Sequence, residues 1–240
     1  MSEEVQKTPE EIQAGIDKVL AEAEQAKADA ERARADARKA NAEAEDLEIM
    51  LARKRHDREV ELAKDEYHHV YRFNTSVNGK SVQDCVTKLT EWHRADPTCD
   101  IEIIFNSPGG DVINGMALFD YIQELRDTHK ITTGASGMAA SMAGILLQAG
   151  DVRWVGEQSW VLIHRISFGI VGSAYEVEDE LEFVKRIEKR VCDIFAARTK
   201  LTPTRIKKNW DRKDWWISAD EALELGIVDE VRGPLKESRE

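Results

Sequence analysis

The first quarter of the chain carries hydrophobic residues at the spacing of a coiled coil. From position 12 to position 51 they recur in alternating steps of four and three residues, and the middle of this heptad seam is alanine. Thr8 and Pro9, with Glu11 three residues after the cap, are typical of a helix start. The seam consists of Ile12, Ile16, Val19, Ala23, Ala26, Ala30, Ala33, Ala37, Ala40, Ala44, Leu47 and Leu51.

This pattern predicts a long N-terminal helix that forms its own domain over residues 1–66. Alanine buries little apolar area, so the centre of the seam contributes little to self-association. The helix is therefore either one strand of a coiled coil or a solvated single arm. After Leu51 the seam fails, and the basic residues 53–56 are a hinge, a processing site or exposed surface.

Short apolar runs alternate with amphipathic stretches over residues 67–240, which we predict to be a second domain. This alternation is typical of an α/β fold. The predicted strands lie at 69–74, 101–105, 130–135, 152–155 and 160–163. The predicted helices lie at 79–95, 112–127, 141–149, 175–199, 203–209 and 219–225.

Composition and charge narrow the function classes. The chain has 46 acidic and 34 basic residues and a net charge of −12, which argues against a nucleic-acid partner, since such proteins carry a basic stripe. The three cysteines are too widely spaced for a zinc site or a disulfide framework, and we expect no metal and no cofactor. No apolar stretch reaches about 18 residues and the first residues are acidic, so we expect a cytoplasmic protein without a membrane partner.

The first candidate catalytic residue is Ser141, which lies among small residues directly after a predicted strand. A serine there is either a small packing residue or a nucleophile, and a nucleophile needs a base and an acid that orients the base. His164 ends an apolar run and Asp214 precedes another, although each residue type has a common structural role as well. Their order and their positions at element boundaries indicate a Ser-His-Asp triad.

A Pro-Gly-Gly turn, Pro108-Gly109-Gly110, follows the predicted strand at 101–105. Such a turn needs no function, but glycine lets a backbone N–H approach a ligand closely. Acyl transfer requires N–H donors aimed at the developing oxyanion. The turn is therefore a candidate oxyanion hole.

Together these segments resemble the ClpP family, the proteolytic subunits of Clp protease. The resemblance covers residues 70–231 and implies a crotonase-like superhelix of ββα units. It also implies that Ser141 is the nucleophile, that His164 is the general base and then acid, and that Asp214 orients His164. The shared motifs are Ser107-Pro108-Gly109-Gly110, the run at 137–142, Ile163-His164, Asp214 before Ser218-Ala219-Asp220-Glu221-Ala222, and Gly226-Ile227-Val228-Asp229.

The same resemblance implies the rest of the site and the assembly. The backbone N–H groups of Gly110 and Met142 would form the oxyanion hole, and a peptide would lie extended between Val112 and the segment Ile166-Ser167-Phe168. The family forms seven-membered rings stacked in pairs, with a helix over about 174–199 as the "handle" between the rings. A homo-oligomeric ring, a protein or peptide substrate and a Clp-type unfoldase ATPase are the expected partners.

Two features depart from the family pattern. Arg165 and Ile166 stand where the family usually has Gln-Pro after the histidine. Asp111 and the pair Trp215-Trp216 look closer to ClpP-like proteins of phage head-assembly modules, so head-assembly proteins are alternative partners.

Three functions follow from the sequence. The first is a serine endopeptidase that cleaves unfolded or scaffold proteins inside a ring. The alternative is a catalytically silent ClpP-fold structural or assembly protein, which the long N-terminal helix and the changed segment after His164 suggest. The third is an acyl-CoA enzyme of the crotonase superfamily, which would not need the triad. The N-terminal helix itself is either a docking arm or a propeptide.

Overall fold

The computed structural model describes residues 8–211 and 213–233, which belong to two compact units divided between Ala63 and Lys64. The first unit is a single helix, α1 (Pro9–Leu62). Thr8 Oγ1 accepts a hydrogen bond from the Glu11 N–H, and a Glu11 carboxylate oxygen accepts one from the Thr8 N–H, which confirms the predicted helix start. No residue of α1 is buried. The basic residues 53–56 are exposed helix surface, so the hinge interpretation of this patch is wrong.

The second unit is built on one mixed sheet. Five strands run parallel in the order β1 (Val70–Phe73), β2 (Ile101–Ser107), β3 (Ile131–Ala140), β4 (Val152–Gly156) and β7 (Glu230–Arg232). The first half of β3 pairs with β4, and its second half pairs in parallel with β5 (Trp160–Ile163). A last strand, β6 (Trp215–Ser218), pairs antiparallel with β5.

The connections between the strands are mostly helical. The helices of this unit are α2 (Gly79–Ala95), α3 (Val112–Leu125), α4 (Met142–Leu146), α5 (Ala174–Arg198), α6 (Pro203–Trp210) and α7 (Ala219–Glu224). The predicted helix at 141–149 is shorter, because a 3₁₀ turn, Leu147–Ala149, follows α4. The strands β6 and β7 were not predicted.

The hydrophobic core lies between the sheet and these helices. Residues on β2 and β3, such as Ile103 and Ile131, are fully buried, as are Leu118 on α3 and Leu146 on α4. Burial on both faces explains the apolar run Ile103-Ile104-Phe105 in β2, in which all three residues are buried. In the parts of the chain that the structure describes, no helix is both long and apolar enough to cross a bilayer.

Candidate active site

The pairing of β3 with β5 places Ser141 and His164 at the same edge of the sheet. Ala140 is the register partner of Leu162, and the Ser141 N–H donates a 2.9 Å hydrogen bond to the Leu162 carbonyl. Because the two strands are parallel, their carboxyl ends meet, and Ser141 and His164 each follow one of them. The predicted nucleophile and base are therefore neighbours.

The pairing of β5 with β6 brings Asp214 to the same edge. These strands are antiparallel, and their last register pair is Ile163 with Trp215. His164 and Asp214 are the next residues beyond this pair, and both line one cavity of about 490 Å³. Sheet register alone thus gathers all three predicted triad residues, although they are separated by 23 and 50 positions in the chain.

Ser141 has an unusual backbone conformation, with φ 55° and ψ −123°. A residue with a Cβ rarely adopts positive φ, and such strain is concentrated at functional sites. Ser141 also precedes α4, yet its hydroxyl does not cap the helix. The conformation therefore leaves the side chain free at a sharp strand-to-helix turn.

The glycine turn packs directly against Ser141. A Cβ on Gly109, whose φ is 85°, would lie 2.6 Å from the Ser141 Cβ and 2.8 Å from the Met142 nitrogen. Val77 holds the turn from the other side, because its N–H donates to the Gly109 carbonyl and its carbonyl accepts from the Asp111 N–H, each at 2.8 Å. Only glycine allows this approach.

The two backbone N–H groups predicted to form the oxyanion hole have no backbone acceptor in the described parts of the chain. Neither the Gly110 N–H nor the Met142 N–H donates a backbone hydrogen bond to any residue that the structure describes. Met142 is the first residue of α4, where N–H groups have no partner within the helix. Both residues line a cavity of about 280 Å³ together with Ser141 and His164.

The predicted substrate residues divide between two cavities. Val112, Ile166 and Ser167 line the cavity of about 280 Å³ that contains Ser141. Phe168, 45% exposed, lines an adjoining cavity of about 490 Å³ that also contains His164 and Asp214. His164 and Ile166 line both cavities and lie where the two meet.

No hydrogen bond joins the three triad side chains. Among residues 8–211 and 213–233, the Ser141 hydroxyl, the His164 ring and the Asp214 carboxylate have no hydrogen-bonded side-chain partner. His164 is half-buried, whereas Asp214 is exposed. Hydrogen bonds between catalytic groups are often long or absent without substrate and form in the reacting complex.

Charged groups surround the histidine. Arg165 forms a bidentate ion pair with Glu188 on α5 and a longer one, at 3.6 Å, with Asp211. The hydrogen bond to Glu188 and the charge of that carboxylate raise the pKa of the Arg165 guanidinium.

In the described ranges no group of three or more His, Cys, Asp or Glu residues could hold a metal ion.

Two parts of this site were missed by sequence reasoning. Val77 lies in a loop with no motif, and its contact with Gly109 spans 32 positions. Glu188 lies on a helix rich in charged residues, so nothing in the sequence distinguishes it from a solvated side chain. The departure from the family pattern at Arg165 was the one available signal for this ion pair.

Comparison with known proteins identifies the family of the chain. The family model described as Clp protease matches residues 56–234. The chain is 34% identical over 159 residues to ATP-dependent Clp protease proteolytic subunit 2 of Tropheryma whipplei (strain Twist), which covers 65% of this chain and 87% of that protein. It is 32% identical over 160 residues to proteolytic subunit 1 of Leifsonia xyli subsp. xyli (strain CTCB07), covering 66% of this chain and 80% of that protein. Because the matched model spans well over half of the chain, the protein belongs to the Clp protease family.

Proposed function

We propose that the protein is a serine endopeptidase that cleaves peptide bonds of unfolded or scaffold proteins. The observation that carries this proposal is the sheet register, which sets Ser141, His164 and Asp214 at one edge. Two free backbone N–H groups lie in the same cavity as Ser141. The names of the relatives, all proteolytic subunits, support the same conclusion.

The proposed reaction uses each residue in a separate role. The Ser141 hydroxyl oxygen attacks the scissile carbonyl carbon while His164 takes the hydroxyl proton. The carbonyl oxygen becomes an oxyanion that accepts hydrogen bonds from the Gly110 and Met142 N–H groups. His164 then gives its proton to the leaving amine, and water hydrolyses the acyl-enzyme by the same route. Asp214 stabilises the imidazolium and fixes the orientation of its ring.

The proposed substrate lies extended across the cavity that contains Ser141. One wall is the start of α3 at Val112, and the other is the segment from Ile166 to Phe168. Main-chain hydrogen bonds to such a peptide bind without regard to its side chains, so we expect broad sequence tolerance.

The assembly is part of the same proposal. A crotonase-like ring of identical subunits in the cytoplasm would enclose the active sites, and α5 would serve as the handle. A Clp-type unfoldase ATPase or phage head-assembly proteins are the proposed partners, and α1 is the proposed docking arm.

Fluorophosphonate labelling tests the proposed activity. The probe reacts with activated serines, so the wild type labels and Ser141→Ala does not. Native mass spectrometry of the same samples gives the size of the assembly that is labelled. Residual peptide cleavage by Ser141→Ala would contradict the proposal.

A second candidate is a catalytically silent assembly protein of the same fold. The observation that favours it is that no hydrogen bond joins the triad side chains. It predicts that the wild type stays unlabelled in every oligomeric state, including with a partner ATPase present.

A further inference from the structure

Arg165 directly follows His164 and joins three elements. Its Nε and Nη2 atoms bind the two carboxylate oxygens of Glu188 at 3.0 and 2.9 Å, and its Nη1 lies 3.6 Å from Asp211 Oδ1. The Glu188 side chain is only 14% exposed, so water screens this pair less than an ordinary surface ion pair. One guanidinium therefore connects the end of β5 with α5 and with the end of α6.

Asp211 opens the segment that carries Asp214. The segment starts after Trp210, which is buried at the end of α6, and it ends at Trp215, which pairs with Ile163. Between these two anchors the Asp214 carboxylate makes no hydrogen bond with any residue in the described parts of the chain. Its position relative to His164 thus depends on contacts of its described neighbours, among them Asp211 and Trp215.

We propose that Arg165 is a positioning residue that acts through Glu188 and Asp211 to hold Asp214 opposite His164. The inference rests on the proposed peptidase function. A planar guanidinium can bind Glu188 in a bidentate manner and still reach Asp211, which neither the ammonium of lysine nor the amide of glutamine can do.

The ion pair of Arg165 with Glu188 lies in a cavity that His164 also lines. The charged groups facing His164 are Arg165, then Lys185 and Glu188 on α5, then Lys213 and Asp214 before β6. Removing the guanidinium leaves the carboxylates of Glu188 and Asp211 uncompensated, which favours protonated His164. Removing the Glu188 charge leaves the positive charge of Arg165 less compensated in the cavity that His164 lines, which disfavours protonated His164.

The two substitutions, Arg165→Gln and Glu188→Gln, should therefore shift the pH profile of kcat in opposite directions. Because neutral His164 is the active base, Arg165→Gln moves the acid limb of the kcat profile to higher pH, and Glu188→Gln moves it to lower pH. A residue that only stabilised the fold would move neither limb. Arg165→Lys keeps the charge, so its acid limb stays close to that of the wild type.

The experiment measures kcat and KM of these variants in the full chain, with a fluorogenic N-blocked dipeptide amide as the probe. We expect Arg165→Gln to lower kcat about ten- to a hundredfold with little change in KM, and Arg165→Lys to recover part of this loss. The matched control is Arg186→Gln on α5, because within the described parts of the chain Arg186 pairs only with the exposed Glu182. This control retains the wild-type profile.

Two results would overturn the proposal. One is wild-type kcat and acid limb in both Arg165→Gln and Glu188→Gln. The other is a lowered kcat in both variants with an unmoved acid limb and lowered unfolding temperatures, which indicates a structural role.

A failed peptidase function gives a different result, namely a wild type without turnover or cleavage by Ser141→Ala. In that case the titration of His164, followed by NMR of ¹³C-labelled histidine and assigned with His164→Gln, decides the question. Opposite shifts in the two variants support the positioning role, and titration identical to the wild type refutes it.

Discussion

His164 and Asp214 lie at the open end of the β5–β6 ladder, each one position beyond the pair of Ile163 and Trp215, and they line the same cavity. Strand pairing fixes this relationship before any side chain makes contact. Since Ser141 is attached to the neighbouring strand, backbone hydrogen bonds assemble all three groups. Strand pairing therefore brings the three residues of the proposed triad to one edge of the sheet.

Replacing Asp214 with asparagine tests its role as the orienting acid. An amide cannot stabilise the imidazolium and favours the wrong tautomer of the ring, so kcat should fall about 10³- to 10⁴-fold with KM little changed. Steady-state peptide hydrolysis gives both constants. Asp220→Asn, in the exposed first turn of α7, is the matched control and keeps normal turnover. If Asp214→Asn retains a tenth of the wild-type rate, another group orients His164.

Gly109→Ala tests the close packing of the turn against the nucleophile. The new Cβ would clash with Ser141 and Met142, and φ at this position is 85°, so the turn must move. We expect the rate of fluorophosphonate labelling to fall about a hundredfold, since one misplaced oxyanion donor costs that much. Gly79→Ala is the control, because its nearest neighbour would be 3.6 Å away. Equal labelling of both variants would exclude the turn as an oxyanion hole.

Asp229 anchors the C-terminal part of the sheet and makes stability depend on pH. It accepts hydrogen bonds from the backbone N–H, Nε and Nη2 of Arg153, which is buried. Burial acts to raise the pKa of this carboxyl, but the hydrogen bonds and charge of Arg153 outweigh it, and the pKa lies below its usual range.

A lowered native pKa adds stability above about pH 4, which is lost as the pH falls through the native value. Asp229→Asn should therefore lower the unfolding temperature at pH 7 and flatten its decline in acid. Thermal unfolding monitored by circular dichroism at several pH values measures both effects. Glu230→Gln is the control, since Glu230 is exposed and, among residues 8–211 and 213–233, pairs only with the exposed Arg232. If the unfolding temperatures of Asp229→Asn and the wild type decline in parallel as the pH falls, Asp229 does not contribute to the loss of stability in acid.

Substitutions in the heptad seam distinguish a coiled coil from a single helix. Leucine at Ala30 and Ala37 adds apolar area to the seam, so a fragment of residues 8–63 should associate more strongly. Sedimentation equilibrium measures that association. Leucine at Ala35 and Ala42, on the opposite face of the same helix, serves as the control. Equal association of the two double variants would show that the seam has no special role.

Local features of the sequence predicted most of the elements. The helix α2 was predicted at its observed bounds, because its apolar periodicity and its cap at Asn78 are both local. The strands β6 and β7 have four and three residues, and they exist through pairing with β5 and β4 far away in the chain.

The residues of the candidate site divide in the same way into those predicted from local sequence and those that depend on distant contacts. Ser141, His164 and Asp214 were predicted because each follows or precedes an apolar run, and the structure brings them to one sheet edge. Val77 and Glu188 were not predicted, since each acts through a contact with a residue at least 20 positions away. The lack of hydrogen bonds between the triad side chains was likewise beyond sequence patterns, which do not determine side-chain rotamers.

The backbone conformation of Ser141 lowers the stability of the fold, whereas the side chain of Ser141 is required for the proposed activity. A positive φ at a residue with a side chain costs about 1–3 kcal/mol, and glycine would remove that cost. Ser141→Gly should therefore unfold at a higher temperature than either the wild type or Ser141→Ala, while lacking any nucleophile. The fold therefore accommodates Ser141 at a cost in stability, and replacing this serine with glycine would make the fold more stable.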